Sequence, residues 1–295
     1  MNLRNLLKTD YELIDFGAGR KLERFAAFVV DRPCVIAEQI EPREPSTRWN
    51  DAQLRFTLGN ESTGTWHYSP EVAADLANWH VCFGEVCLRL KLSPVGHLGV
   101  FPEQASNWTW LSGLAPTFAD QWVLNLFAYT GGSSIATAQA GARVVHVDAA
   151  KNMVNLAREN ALFSNQANAP IRWIVDDAMK FAAREIRRER KYCGIILDPP
   201  SYGHGINNES WQIDRDLPAL LEMSRKLLDQ ERGFMLLTCH TPGYDCDRLI
   251  DLGMEKVFAP LALAPTIWAE DMFLFSQAHN RLPSGVSVRF TWEPN

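Results

Sequence analysis

From about Gln121 onward, short apolar runs recur at intervals that each leave room for a helix, and few architectures accommodate that repetition. Runs at 122–126, 143–147, 171–175, 194–197 and 234–238 have strand length and are mostly apolar rather than strictly alternating. This is the pattern of strands covered on both faces. The stretches between them, 133–140, 150–164, 178–189 and 213–228, have helix length. Strand–helix alternation of this kind predicts an α/β fold with a mostly parallel sheet and helices on its faces. Further strand-like runs at 256–261, 272–276 and 286–292 are consistent with an antiparallel terminal hairpin, for a sheet of seven strands.

Residues 1–96 read differently. Short apolar stretches at 25–30, 54–58 and 86–90 are punctuated by Gly17, Gly19, Pro33, Gly59, Gly64 and Gly84. This predicts a small β-rich domain, expected to position a substrate, ahead of a larger domain over 97–295. A chain of 295 residues that is 46% hydrophobic can bury cores of both sizes. Its apolar runs fall well short of the roughly 20 residues needed to cross a bilayer, and the N-terminus lacks an apolar signal core. A cytoplasmic protein without membrane contact is therefore expected. The six cysteines form no Cys-x-x-Cys pair, which predicts no structural metal and free thiols by default. A net charge of −6 argues against strong sequence-independent attraction to phosphate backbones, and the basic cluster Arg20, Lys21 and Arg24 reads first as solvated surface.

In an open α/β sheet, ligands sit beyond the carboxyl ends of the strands. After the first predicted strand comes Asn125-Leu-Phe-Ala-Tyr-Thr-Gly-Gly-Ser133, in which Gly131 and Gly132 permit a tight turn and close backbone approach to a ligand. After the second comes Asp148, placed where a carboxylate accepts from both hydroxyls of a ribose. After the third comes Asp176-Asp-Ala178, able to meet an adenine amine and ring. Each signal has a plain alternative, since Gly-Gly makes turns and a strand-end Asp caps helices. Together they outline an adenosine-shaped site. The Gly-x-Gly-x-x-Gly pattern of dinucleotide sites is absent, which favours S-adenosylmethionine, a ligand without phosphates.

The fourth strand is followed by Asp198-Pro199-Pro200-Ser201-Tyr202. Two prolines stiffen the backbone and remove two donors, leaving a carboxylate and carbonyls as an acceptor edge suited to a planar amino-substituted base. The fifth is followed by Cys239-His240, a thiol able to add to C6 of cytosine and activate C5, or simply to pack.

In order and spacing these strings resemble the large-subunit ribosomal RNA cytosine-C5 methyltransferase family, over about 101–241. The resemblance implies a Rossmann-like class I methyltransferase domain using S-adenosyl-L-methionine and releasing S-adenosyl-L-homocysteine. It further implies that Phe127, Tyr129, Thr130 and the neighbouring Asn125 and Gly131 line the donor site. By the same match Asp148 holds the ribose, Asp177 and Ala178 meet the adenine, and Gln104 approaches the methionine end. Asp198 would face both donor and base, residues 199–202 would hold the base, Cys239 would be the nucleophile, and the partner would be RNA, ribosomal by that match. The chain departs from the pattern in lacking a recognisable PUA module and in carrying His240 where a serine is usual. Three alternatives stay open: an amine methyltransferase working through Asp198-Pro-Pro-Ser alone, a nucleotide-binding oxidoreductase, and a non-catalytic RNA-binding module.

Overall fold

Glycines and short polar turns cut the first hundred residues into brief strands. In the computed structural model, which describes residues 9–59, 63–204 and 210–293, β1 (Tyr11–Gly17), β2 (Arg20–Phe25) and β3 (Phe28–Pro33) form an antiparallel meander. After α1 (Ser46–Asn50), β4 (Leu54–Leu58) runs parallel to β3 and pairs with β5 (Gly64–His67) at the edge. Then come α2 (Pro70–Asp75) and a two-stranded ribbon of β6 (His80–Phe83) and β7 (Val86–Arg89). The apolar stretch 25–30 holds a reversal rather than one strand, because Phe25 ends β2, Phe28 opens β3 and Ala26 turns between them at φ 53°. Cys82 and Cys87 stand opposite each other in the ribbon, 4.1 Å apart at Cα, and form a disulfide. The expectation of free thiols is corrected for this pair, whose hairpin register brings the two sulfurs together.

α3 (Ala105–Gly113) and α4 (Ala115–Phe118) lead into the larger sheet. Its strands are β8 (Trp122–Leu126), β9 (Arg143–Asp148), β10 (Ile171–Val175), β11 (Gly194–Leu197), β14 (Gly233–Cys239), β15 (Thr266–Phe275) and β16 (Arg281–Trp292), in the order β10-β9-β8-β11-β14-β16-β15. β8 to β11 and β14 are parallel, while β16 runs antiparallel to β14. The helices are α5 (Gly132–Gln139), α6 (Lys151–Phe163), α7 (Ala178–Arg187), α8 (Ile213–Leu227) and α9 (Cys246–Gly253). The order reverses between β8 and β11, which opens a crevice at their carboxyl ends. Two features depart from the sequence reading. A hairpin of β12 (Tyr202–His204) and β13 (Ser210–Gln212) follows β11, and residues 256–261 form π- and 3-10-helical turns instead of a strand.

Contacts divide the chain into two units: 1–105 with Phe273–Pro283, and Ser106–Met272 with Ser284–Asn295. The break after Ala105 lies beyond the sequence-based boundary near 97, and the tip of the β15–β16 hairpin groups with the first unit. Within that unit Leu13, Phe16 and Ala37 pack with Leu274 and Leu282. In the second unit Leu124, Val145, Ile195 and Met235 of the parallel strands pack with Phe181 of α7 and Leu217 and Leu221 of α8. Each such buried side chain contributes about 1.5 to 3 kcal/mol over an exposed one. Among the described residues no helix is long and apolar enough to cross a membrane, and no cluster of His, Cys, Asp and Glu could hold a metal.

Candidate active site

The loop leaving β8 is held in an unusual conformation. Phe127 and Tyr129 have φ values of 55° and 48°, and Gly131 follows at 91°. A non-glycine residue in the left-handed region costs about 1 to 2 kcal/mol, so neighbouring contacts must impose it. The Phe127 ring packs against Trp211 with centroids 4.7 Å apart. The Tyr129 N–H donates to Asp148 Oδ2 at 2.8 Å, and Asn160 donates to the Thr130 carbonyl at 2.8 Å. A Cβ on Gly131 would press on that of Ala157 at 3.0 Å, and one on Gly132 would stand 2.5 Å from the Trp108 ring. Both glycines therefore serve tight packing as well as the turn.

Asp148 closes β9 with Oδ2 on Tyr129 and Oδ1 on the Ala150 N–H at 2.8 Å. Burial pushes its carboxyl above the ordinary range, against the opposing pull of the Ala150 and Tyr129 N–H groups. Each oxygen keeps a further lone pair, so the group fits two hydroxyls of a ribose without giving up its backbone partners. Asp177 caps α7 by accepting from the Lys180 N–H at 2.9 Å, and Ala178 behind it is buried. Its neighbour Asp176 pairs with Arg184. A carboxylate for the sugar, a second for an amine and an apolar floor suit an adenosyl group.

Two residues expected to line the donor, Asn125 and Thr130, are buried in the structure. Asn125 is buried and donates to Ser134 Oγ at 2.9 Å, and that oxygen lies 3.0 Å from Nδ1 of buried His146. His146 Nε2 has no hydrogen-bond partner among the described residues, and burial lowers this imidazole to about 3, so it stays neutral. The bonds through Ser134 tie the end of β8 to α5 and β9. Thr130 is likewise buried, and its carbonyl is what the Asn160 bond uses. Gln104 closes the 3-10 turn Pro102–Gln104 and is buried; it belongs to the first unit, whereas the strand-end residues belong to the second.

Asp198 follows β11, with its side chain 32% exposed. Thr238, on the neighbouring strand β14, donates to Asp198 Oδ1 at 2.5 Å, and His240 Nε2 lies 3.7 Å from the same oxygen. Pro199 is buried and Pro200 exposed. The Pro200 carbonyl accepts from Trp211 Nε1 at 2.7 Å, Ser201 Oγ bonds Thr241 Oγ1 at 2.7 Å, and Tyr202 projects with 78% exposure. Cys239 is only 1% exposed. Burial pushes its thiol up and the Asp198 charge adds to that, while the Thr241 N–H, 3.4 Å from Sγ, pulls the other way. Gly285 at φ 99° leaves space for this strand end: a Cβ there would lie 2.6 Å from the Cys239 carbonyl and 2.7 Å from His240 Nδ1. Thr238, Thr241, Trp211 and Gly285 escaped the sequence reading. The string around Cys239 contains the first two without marking a role for them, and only strand pairing reveals the others.

A doubly wound sheet with this loop and these strand-end carboxylates defines an adenosyl-binding α/β enzyme. The family model for S-adenosylmethionine-dependent methyltransferases matches residues 48–251, and the chain belongs to that family. The crystal structure of a SAM-dependent methyltransferase from Agrobacterium tumefaciens superposes with a TM-score of 0.86 at 34% identity, covering 97% of this chain and 91% of that one. S-adenosylmethionine is accordingly its methyl donor. Sequence relatives include ribosomal RNA large subunit methyltransferase I of Aeromonas hydrophila, 29% identical over 53% of this chain and 38% of that protein. Another is ribosomal RNA large subunit methyltransferase K/L of Shewanella frigidimarina, 34% identical over 36% of this chain and 15% of that protein. The matches thus span well under two thirds of these relatives.

Proposed function

We propose that this enzyme methylates C5 of a cytosine in ribosomal RNA, with the base taken out of its stack and laid against Asp198. The observation that carries the reading is the juxtaposition of two parallel strand ends: Asp198 after β11 and Cys239 at the end of β14, joined through the Thr238–Asp198 hydrogen bond. When bound, S-adenosylmethionine supplies an electrophilic methyl group on a sulfonium. Asp198 accepts from the exocyclic amine of the cytosine and orients it. The Cys239 thiol gives up its proton to solvent, its sulfur bonds to C6, and the electron pair of the C5–C6 double bond moves to C5, which takes the methyl group. After C5 is methylated, a base removes the C5 proton, the sulfur leaves C6 and the ring regains its double bond. His240, beside Asp198, is a candidate for that base. The names of the ribosomal RNA relatives support RNA as the substrate, and the Thr241 N–H directed at Sγ favours a thiolate once the thiol is uncovered.

The burial of Cys239 favours a second reading, in which the thiol only packs and Asp198 with the proline carbonyls orients an amine nitrogen for methylation. One experiment separates the two. Ribosomal RNA carrying 5-fluorocytosine should trap a covalent complex, because fluorine replaces the proton whose removal releases the enzyme. Cys239→Ala should abolish trapping and methyl transfer while leaving S-adenosylhomocysteine affinity unchanged. Full activity in that variant, with an N-methylated nucleoside in the digested RNA, establishes the second reading instead.

A further inference from the structure

Trp211 lies outside every motif, yet its indole meets both loops of the active site. Its ring packs on Phe127, which sits in the left-handed conformation after β8, and its Nε1 donates to the Pro200 carbonyl in the loop after β11. The residue is itself held firmly: it is 8% exposed, it pairs with Gly203 across the β12–β13 hairpin, and two residues later the Ile213 N–H donates to the Ser201 carbonyl at 3.1 Å.

We propose that Trp211 is a positioning residue that holds the base-binding loop in register with the donor loop. The ring contact maintains Phe127 in a conformation that Phe127 alone would leave. The N–H fixes the Pro200 peptide, and through it the direction in which Asp198 and the Pro199 carbonyl face. Proline leaves the carbonyl as the only backbone hydrogen-bonding group at this position. A side chain that filled space alone would not need an indole N–H directed at that oxygen. The two functions reside on different parts of one side chain, so substitutions separate them. The inference rests on the proposed RNA substrate for its base-side half only; the donor-side half depends on the donor alone.

Trp211→Phe keeps a ring against Phe127 and deletes the N–H. S-adenosylhomocysteine affinity by calorimetry should stay within about twofold, while kcat on ribosomal RNA falls about tenfold, the upper end for one net hydrogen bond. Trp211→Ala deletes both functions and should also weaken S-adenosylhomocysteine about tenfold, with circular dichroism confirming a folded chain. Phe127→Leu, altered from the other side of the contact, should weaken the same ligand and leave little further loss when combined with Trp211→Ala. Wild-type kcat in Trp211→Phe, or wild-type ligand affinity in folded Trp211→Ala, overturns the proposal. If the unaltered enzyme methylates no RNA, the substrate reading fails by itself. The calorimetric comparison of Trp211→Ala and Phe127→Leu then decides the donor-side half.

Discussion

Asp148 holds the backbone with the same two oxygens that the sequence reading assigns to the ribose. Its bonds to Tyr129 and Ala150 fasten the loop after β8 to the start of α6. Asp148→Ala should therefore show two losses. Donor affinity should fall by roughly 1.5 to 3 kcal/mol, the range for charge-assisted hydrogen bonds, and the melting temperature should drop because two backbone N–H groups lose their acceptor. Calorimetry with S-adenosylhomocysteine and thermal denaturation measure the two separately, and unchanged affinity removes Asp148 from the ribose role. At this scale the sequence was informative about which residues gather at the strand ends and silent about their direction. Asp148 closes a parallel strand, and Asp177 and Asp198 come just after two others, as their spacing predicts. Asn125 stands in the same motif but turns its side chain to Ser134, because a string of letters does not record which side of a strand a residue takes.

Among elements, the parallel strands were the most legible. Strands covered on both faces leave near-continuous apolar runs, and β8, β10 and β11 occupy the expected residues. The β12–β13 hairpin was not, since three-residue strands carry too little alternation to stand out. Residues 256–261 misled because Val257, Phe258 and Leu261 fit either a strand or a tight helical turn. The β1–β3 meander hides a buried carboxylate that composition does not reveal. Glu23 accepts from Arg32 at 2.6 Å and from Tyr11 at 2.9 Å, with Lys21 3.3 Å away. Burial pushes its carboxyl up, but the charges of Arg32 and Lys21 and the hydrogen bonds outweigh that and hold it at about 2, against an ordinary value of 4.5. A carboxylate depressed by folding contributes stability that is fully present above its unfolded value and is lost as pH falls through the folded one. The stability of the chain, measured by urea denaturation at a series of pH values, should therefore fall between about pH 4.5 and 2. Glu23→Gln should be less stable at neutral pH and show a flatter decline across that window. An identical slope in the variant would mean that other carboxylates set the acid limit.

For the whole molecule, a ligand that binds only the folded form adds stability by mass action. S-adenosylhomocysteine at a hundred times its dissociation constant adds about 2.7 kcal/mol, which for a chain of 295 residues raises the melting temperature by about 4 °C. No shift at millimolar ligand, followed by scanning calorimetry, would contradict the donor site described above. The path of the chain between its two units carries a separate consequence. It passes from the first to the second after Ala105, returns after Met272 and leaves again after Pro283. No single cut releases the second unit intact. A fragment starting at Ser106 would carry Leu274 and Leu282 without the Leu13 and Phe16 that cover them, and would present bare apolar surface at the hairpin tip. Excision or exchange of this unit, in the laboratory or by recombination between genes, therefore requires a new turn between β15 and β16 in place of residues 273–283.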